Sequence, residues 1–368
     1  MEYNLAAPCH FGLESVVKFE LQRIGAKDIN ATDGRVTFCG DEQMIAKANI
    51  RLATAERVRI ILLECYAESF SELIESLDEI PWEDYIGRDE AFQVKGSSLD
   101  STLSSVPRLQ ATIKKSAVLR LCEKYGMTSC PETGAMHQIE FTIRKNAISV
   151  YLDTSGEGLH KRGYRRNSNA APIKETLASG IIDLARIRKA GTVIDPFCGS
   201  GTILIESVFK VCNIAPGLNR RFAAERWGMF HPEIWQKERE AAKSEINKEA
   251  DFKAFGFDND PECVELTLQN SKIAGIINRV TVKNEDIKHF KQTDGVVITN
   301  PPYGERLLEI REAEKLYRVM GERFAADRDH PAFIISPHEE FEKFFGKKAI
   351  KKRKLYNGMM KCFLYMYY

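Results

Sequence analysis

The sequence predicts a chain of mixed α/β and α+β class, with two small αβ units followed by a doubly wound, mostly parallel sheet. Three observations point there. Residues 3–66 follow the order β-α-β-β-α-β, and residues 67–155 supply further strands around one long helix. From residue 191 onward, short apolar runs lead into Asp195, Asp258, Asp286 and Asn300. A glycine-rich turn, Gly199-Ser200-Gly201, follows the first of these runs and opens a helix near Thr202.

In the first unit, residues 3–7 read as a strand, and Leu13, Val16, Val17, Leu21 and Ile24 recur at helical spacing until Gly25. Strands at 28–32 and 35–39 flank Asp33-Gly34, a hairpin signal. A helix over 41–52 and a strand over 57–66 complete a ferredoxin-like unit spanning 1–66, a fold that hosts many functions. In the unit at 67–155, a helix at 70–79 and a strand at 91–95 precede a helix from Pro107 to about Tyr125, stopped by Gly126. Strands at 137–144 and 147–153 follow. Arg108, Lys114, Lys115 and Arg120 on the long helix form either a solvated face or a phosphate contact. Residues 156–190 read as a basic linker and a helix. There Lys161, Arg162, Arg165 and Arg166 surround Tyr164, a composition that can hold a phosphate backbone and stack a base, or simply stay solvated.

The last unit, 191–368, has strands at 193–195, 254–258, 280–282, 295–300 and 331–336, then a hairpin around Asn357-Gly358. The acidic residue closing the second strand ordinarily lies about 20 residues beyond the glycine turn. Asp258 is 63 residues beyond Asp195, so an insertion is expected; residues 213–252, with Trp227, Trp235 and a charged helix from Pro232 to about Glu249, fit it. The basic run Lys347–Lys354 is either an edge strand kept soluble by lysines or an RNA contact.

The chain has 53 Lys+Arg against 52 Asp+Glu, which excludes a globally basic nucleic-acid coat but not a local basic patch. Nine cysteines, none in a Cys-x-x-Cys pair, predict reduced thiols and a cytoplasmic protein without a disulfide framework. The opening Met1-Glu2-Tyr3-Asn4 shows no basic and then apolar leader, and no apolar run approaches membrane-spanning length. His and Cys show no metal-ligand spacing, so no metal is expected.

Two motifs carry chemistry. Asp195-Pro-Phe-Cys-Gly-Ser-Gly201 lacks the lysine of a phosphate loop and the third glycine of a dinucleotide turn. An acidic rim beside open helix N–H groups suits an adenosyl ligand carrying an amino acid. Asn300-Pro-Pro-Tyr303 closes a strand with an amide acceptor, a pinned turn and an aromatic ring. The Asn300 and Pro301 carbonyls can accept from a planar amine while Tyr303 stacks on the base that bears it. Cys198 reads as a small buried residue in the turn and not as a nucleophile.

Together these motifs resemble class I S-adenosylmethionine-dependent methyltransferases, with a Rossmann-like catalytic domain. Leu159-His-Lys-Arg-Gly-Tyr-Arg165 and the two preceding units resemble the THUMP-containing RNA methyltransferases, with THUMP over 67–155. The subgroup most similar is the large-subunit ribosomal RNA guanine-N2 methyltransferases, in particular the N-terminal half of a fused bacterial enzyme. The resemblance implies S-adenosyl-L-methionine as cofactor and RNA as partner, 23S ribosomal RNA first and transfer RNA as the alternative. It implies no membrane. A non-catalytic RNA-binding assembly factor is the reading of another class. By the resemblance, Asp195, Pro196, Phe197, Gly199, Ser200, Gly201 and Thr202 frame the cofactor, Asp258 takes its ribose and Asp286 its adenine, and Asn259 and Ile287 also bind it. Asn300, which also borders the cofactor, would bind the target amine with Pro301, Tyr303 would stack on the base, and Pro302 belongs to the same catalytic set.

Overall fold

The computed structural model describes residues 1–165, 172–187, 191–304 and 307–368. The first half is built from β1 (Tyr3–Pro8), α1 (Glu14–Arg23), β2 (Lys27–Thr32), β3 (Arg35–Gly40), α2 (Glu42–Arg51) and β4 (Arg59–Tyr66), then α3 (Phe70–Asp78), β5 (Ala91–Leu99), α4 (Val106–Tyr125), β6 (Met136–Arg144) and β7 (Ala147–Asp153). Local chemistry sets several starts. Asp41 caps α2 by accepting from the Met44 N–H at 3.0 Å, and Ser69 and Glu72 form a capping box on α3. Gly126 ends α4 in the left-handed region.

The two small units are not separate sheets. β4 pairs antiparallel with β7, giving one seven-stranded sheet in the order β2-β3-β1-β4-β7-β6-β5. Only β5 and β6 in it run parallel. Nothing local in either strand announces this long-range pairing.

The second half holds α5 (Glu175–Ala185), β8 (Thr192–Asp195), α6 (Thr202–Val211), α7 (Pro232–Ser244), β9 (Lys253–Asp258), α8 (Pro261–Ile273), β10 (Val280–Asn284), β11 (Val296–Thr299), α9 (Leu307–Arg323), β12 (Ala332–Ser336), α10 (Phe341–Phe345), β13 (Lys351–Asn357) and β14 (Met360–Tyr367). Its sheet runs β10-β9-β8-β11-β12-β14-β13, parallel except for β14. The strand order reverses between β8 and β11, and the crevice beyond the carboxyl ends of such neighbours is where open α/β sheets bind ligands.

The halves interpenetrate. Leu13 and Val16, at the start of α1, belong to the core of the second sheet with Leu177, Ile181 and Leu364. Conversely, the insertion between α6 and β9 packs on the first sheet: Leu218, Phe222, Trp227, Phe230 and Trp235 are buried in that core. Trp227 stacks on His137 with centroids 4.4 Å apart, and its Nε1 donates to the Met136 carbonyl at 3.2 Å. Arg51 on α2 ion-pairs with Glu238 and Glu245. The insertion helix ends at Ser244, short of Glu249.

Candidate active site

The carboxyl ends of β8, β9, β10 and β11 form one rim. The Asp195 carboxyl, 1% exposed, accepts from the Thr299 hydroxyl at 2.7 Å and from the Phe197 N–H at 3.1 Å. It therefore ties the two strands that flank the switch point. Burial pushes this carboxyl up to about 7; the two hydrogen bonds oppose the rise and Asp258 adds to it. The turn that follows places Gly199 at φ +52° and Gly201 at φ +80°, backbone conformations that favour glycine. A side chain at Gly199 would meet open space, so this backbone faces the crevice uncovered.

Helix α8 braces the turn from behind. Thr267 donates to the Gly199 carbonyl at 2.8 Å and Asn270 to the Ser200 carbonyl at 2.9 Å. In front, Asp258 accepts from the Gly199 N–H at 2.9 Å and from the Asp260 N–H at 3.1 Å. Each carboxylate oxygen carries two lone pairs, so Asp258 keeps acceptor capacity toward a diol. Asn259 is exposed beside it. The Glu285 N–H donates to the Asp258 carbonyl at 2.9 Å, which brings the β10 end alongside. Asp286 is 40% exposed there and accepts from the Lys288 N–H at 2.8 Å, while Ile287 is buried. Pro196, Ser200 and Thr202 are buried under the turn, and Phe197 is partly buried. The Cys198 thiol is 5% exposed and burial holds it far above the ordinary range, so it is protonated and inert as a nucleophile.

At the end of β11, the Asn300 Oδ1 is buried without a hydrogen-bond partner among the described residues. Buried acceptors are almost always satisfied, so an unfilled one at a ligand crevice marks a place for a donor. Pro301 is buried next to it, Pro302 is exposed, and the Tyr303 ring is partly buried. The Tyr317 hydroxyl approaches the Pro302 carbonyl at 3.4 Å, and Asn357 Nδ2 donates to the Tyr303 hydroxyl at 2.9 Å. The open turn, the acidic rim and the unfilled Asn300 acceptor suit an adenosyl cofactor and an amine substrate.

The basic linker is placed differently from the expectation. Arg162 is 4% exposed and Tyr164 2% exposed, so neither offers RNA a surface. Arg162 donates to Glu206 on α6 at 3.3 Å and to the Ala53 carbonyl at 2.5 Å, and the Tyr164 hydroxyl donates to Glu206 at 3.0 Å. Glu206 is a buried carboxylate in an apolar helix, and a buried charge requires a partner. Arg165 pairs with Glu175 and keeps 12% of its side chain exposed. Lys161 faces solvent beside Glu157, and Arg166 lies outside the described residues. Sequence reasoning missed Thr267, Asn270, Thr299 and Asn357. Thr267 and Asn270 had a signal, since two polar side chains one helical turn apart were bound for a buried face.

Comparison with known proteins agrees with this geometry. The chain belongs to the RMKL-like methyltransferase family, whose profile matches residues 162–366. An RlmL ferredoxin-like domain matches 4–59 and a THUMP domain 67–153. It is thus a class I methyltransferase, whose methyl donor is S-adenosylmethionine. It is 38% identical over 371 residues to a putative RNA methyltransferase, YpsC, of Bacillus subtilis, covering 100% of this chain and 96% of that one. It is 30% identical over 386 residues to the ribosomal RNA large subunit methyltransferase K/L of Cellvibrio japonicus, covering all of this chain but 51% of that protein. The chain thus spans about half the length of its K/L relatives. Among solved structures, SMU.472, a putative methyltransferase complexed with SAH, superposes with a TM-score of 0.94 at 38% identity, covering 100% of this chain and 98% of that one. No helix among the described residues is long and apolar enough to cross a membrane. No group of three or more His, Cys, Asp or Glu among them is placed to hold a metal ion.

Proposed function

We propose that this protein transfers a methyl group from S-adenosylmethionine to the exocyclic N2 amine of a guanine in RNA, with 23S ribosomal RNA as the first candidate and transfer RNA as the second. The observation that carries the reading is the buried, unfilled Asn300 Oδ1 beside Tyr303. The lone pair of a nucleobase amine is conjugated with the ring, which makes it a poor nucleophile. Accepting its two hydrogens at Asn300 Oδ1 and the Pro301 carbonyl would orient that lone pair toward the methyl group, and Tyr303 would stack on the base. Rate enhancement would come from positioning and preorganised dipoles. The base would have to leave its stack to reach the crevice. The THUMP match and the names of the relatives support RNA as the polymer.

The test is incubation of the enzyme with labelled donor and total RNA from a strain lacking the gene, followed by mapping of the labelled nucleoside. N2-methylguanosine at one site in 23S RNA is the expected product. Label in an adenine, in DNA alone, or in no nucleic acid refutes the assignment.

A further inference from the structure

The basic run at the C-terminal hairpin has a definite geometry. In the register of β13 and β14, Lys354 stands opposite Phe363 and Tyr356 opposite Lys361. Facing residues share one side of the sheet. The alternate side, with Leu355, Cys362 and Leu364, is buried in the catalytic core. On the ladder side Lys354 Nζ lies 5.3 Å from the Tyr356 ring centroid and Lys361 Nζ 5.2 Å from that of Phe363. Among the described residues neither lysine has a carboxylate at ion-pair distance, whereas Lys352, one step further from the tip, is held by Glu342 at 2.7 Å.

The first half adds a ring. The turn between β1 and α1 closes on the open edge of β13: a side chain at Gly12 would collide with the Lys354 carbonyl, and Arg353 donates to Ser15 at 2.9 Å. This seats Phe11, 46% exposed, edge-on against Tyr356 with centroids 5.9 Å apart. β13 runs parallel to β11, so its end lies on the same sheet edge as Asn300. The Asn357–Tyr303 hydrogen bond joins the two directly.

We infer that Phe11, Lys354, Tyr356 and Lys361 form the track on which the single-stranded RNA flanking the target nucleotide lies. The inference rests on the RNA-amine reading above. Interleaved rings and unpaired ammonium groups are what a single strand needs, stacking for its bases and cations for its phosphates. The surface is composite, since one ring comes from the first half and the rest from the catalytic half.

The test is fluorescence anisotropy with a labelled single-stranded RNA of mixed sequence and with the same sequence as a duplex, over a range of salt. The proteins are the wild type, Tyr356→Ala, Phe11→Ala and the double variant Lys354→Ala/Lys361→Ala. Donor affinity by calorimetry serves as the control for folding. The track predicts that Tyr356→Ala weakens single-strand binding about tenfold. It predicts that the double variant lowers the slope of log K against log salt by about 1.4, for two single-strand phosphate contacts. The KM for RNA should rise while kcat and donor affinity hold. Variants that bind single-stranded RNA within twofold of wild type at an unchanged slope overturn the track and leave the methyltransferase reading standing. Equal binding of the duplex, equally sensitive to the substitutions, overturns the single-strand assignment. A wild type that binds donor but no RNA overturns the track together with the RNA reading.

Discussion

Replacing Asn300 by alanine should separate stability from catalysis, with opposite signs. Its Oδ1 is buried without a partner among the described residues of the free protein. Leaving a buried acceptor unsatisfied costs about 1–3 kcal/mol. Alanine keeps the Cβ and removes the acceptor, so the free protein should be as stable as wild type or more stable by about 1–2 kcal/mol. The target amine, in contrast, loses its aligned acceptor. Removing one preorganised hydrogen-bond partner of a reacting group typically costs about 10²–10³ in turnover. Donor affinity should stay within about threefold, because the turn, Asp195 and Asp258 are untouched. Urea denaturation, donor calorimetry and single-turnover methyl transfer read the three quantities on one preparation. A variant that loses stability and donor affinity in step with turnover would show that Asn300 holds the crevice together and does not receive the amine. Turnover within tenfold of wild type would refute the role outright.

Other expectations follow from the same geometry. Asp195 titrates near 3.8 when unfolded and is pushed up to about 7 by burial, so between these values the folded chain holds a proton that the unfolded chain has lost. Its contribution to stability is therefore fully present below about pH 4 and is lost as pH rises to about 7. Denaturation of the donor-free protein at pH 5 and pH 8 should show this fall, and Asp195→Asn should flatten it; identical slopes in both proteins would contradict the assignment. Glu206→Ala strands the buried Arg162 guanidinium and should cost about 3–5 kcal/mol in urea denaturation, whereas a loss under about 1 kcal/mol would mean that the network is not the tie described. Trp227→Ala should cost about 3–5 kcal/mol and expose the insertion to limited proteolysis, and an unchanged cleavage pattern would show that the insertion docks by other contacts.

What was legible in the sequence is what is settled within a few residues. The glycine turn after Asp195 and the Asn300–Tyr303 strand end each state their chemistry locally, and the structure brings them to one rim. The linker misled because its composition is local and its partner is not. Lys161, Arg162, Arg165 and Arg166 look alike in sequence, yet Arg162 is taken up by a carboxylate 44 residues away. The signal lay in α6, where Glu206 follows Thr202-Ile-Leu-Ile and precedes Ser207-Val-Phe209; a carboxylate in so apolar a helix calls for a buried cation. The insertion was legible as extra length but not as a clamp. Phe222, Trp227, Phe230 and Trp235 find their seat in the core of the first sheet, far away in sequence.

This exchange of cores bears on how a target is chosen. Two domains on a flexible linker would sample many spacings, and the position of the methylated base would be set by the RNA alone. Here α1 enters the catalytic core through Leu13 and Val16, while the insertion enters the first core through Trp227 and Trp235. The residues that begin the linker are pinned as well: Asn49 donates to Thr154 and accepts from Ser155, and Arg220 donates to the Glu157 and Gly158 carbonyls. Rotation of one half against the other would have to expose the insertion's buried rings together with Leu13 and Val16 and break the Arg220 hydrogen bonds. At about 25 cal/mol per Å² of apolar surface, and 150–250 Å² per aromatic side chain, each ring adds several kcal/mol to that barrier. The separation between the first sheet and Asn300 is therefore a property of the protein. On the proposed reading, an RNA held by the first half would present to Asn300 only a base at that fixed reach.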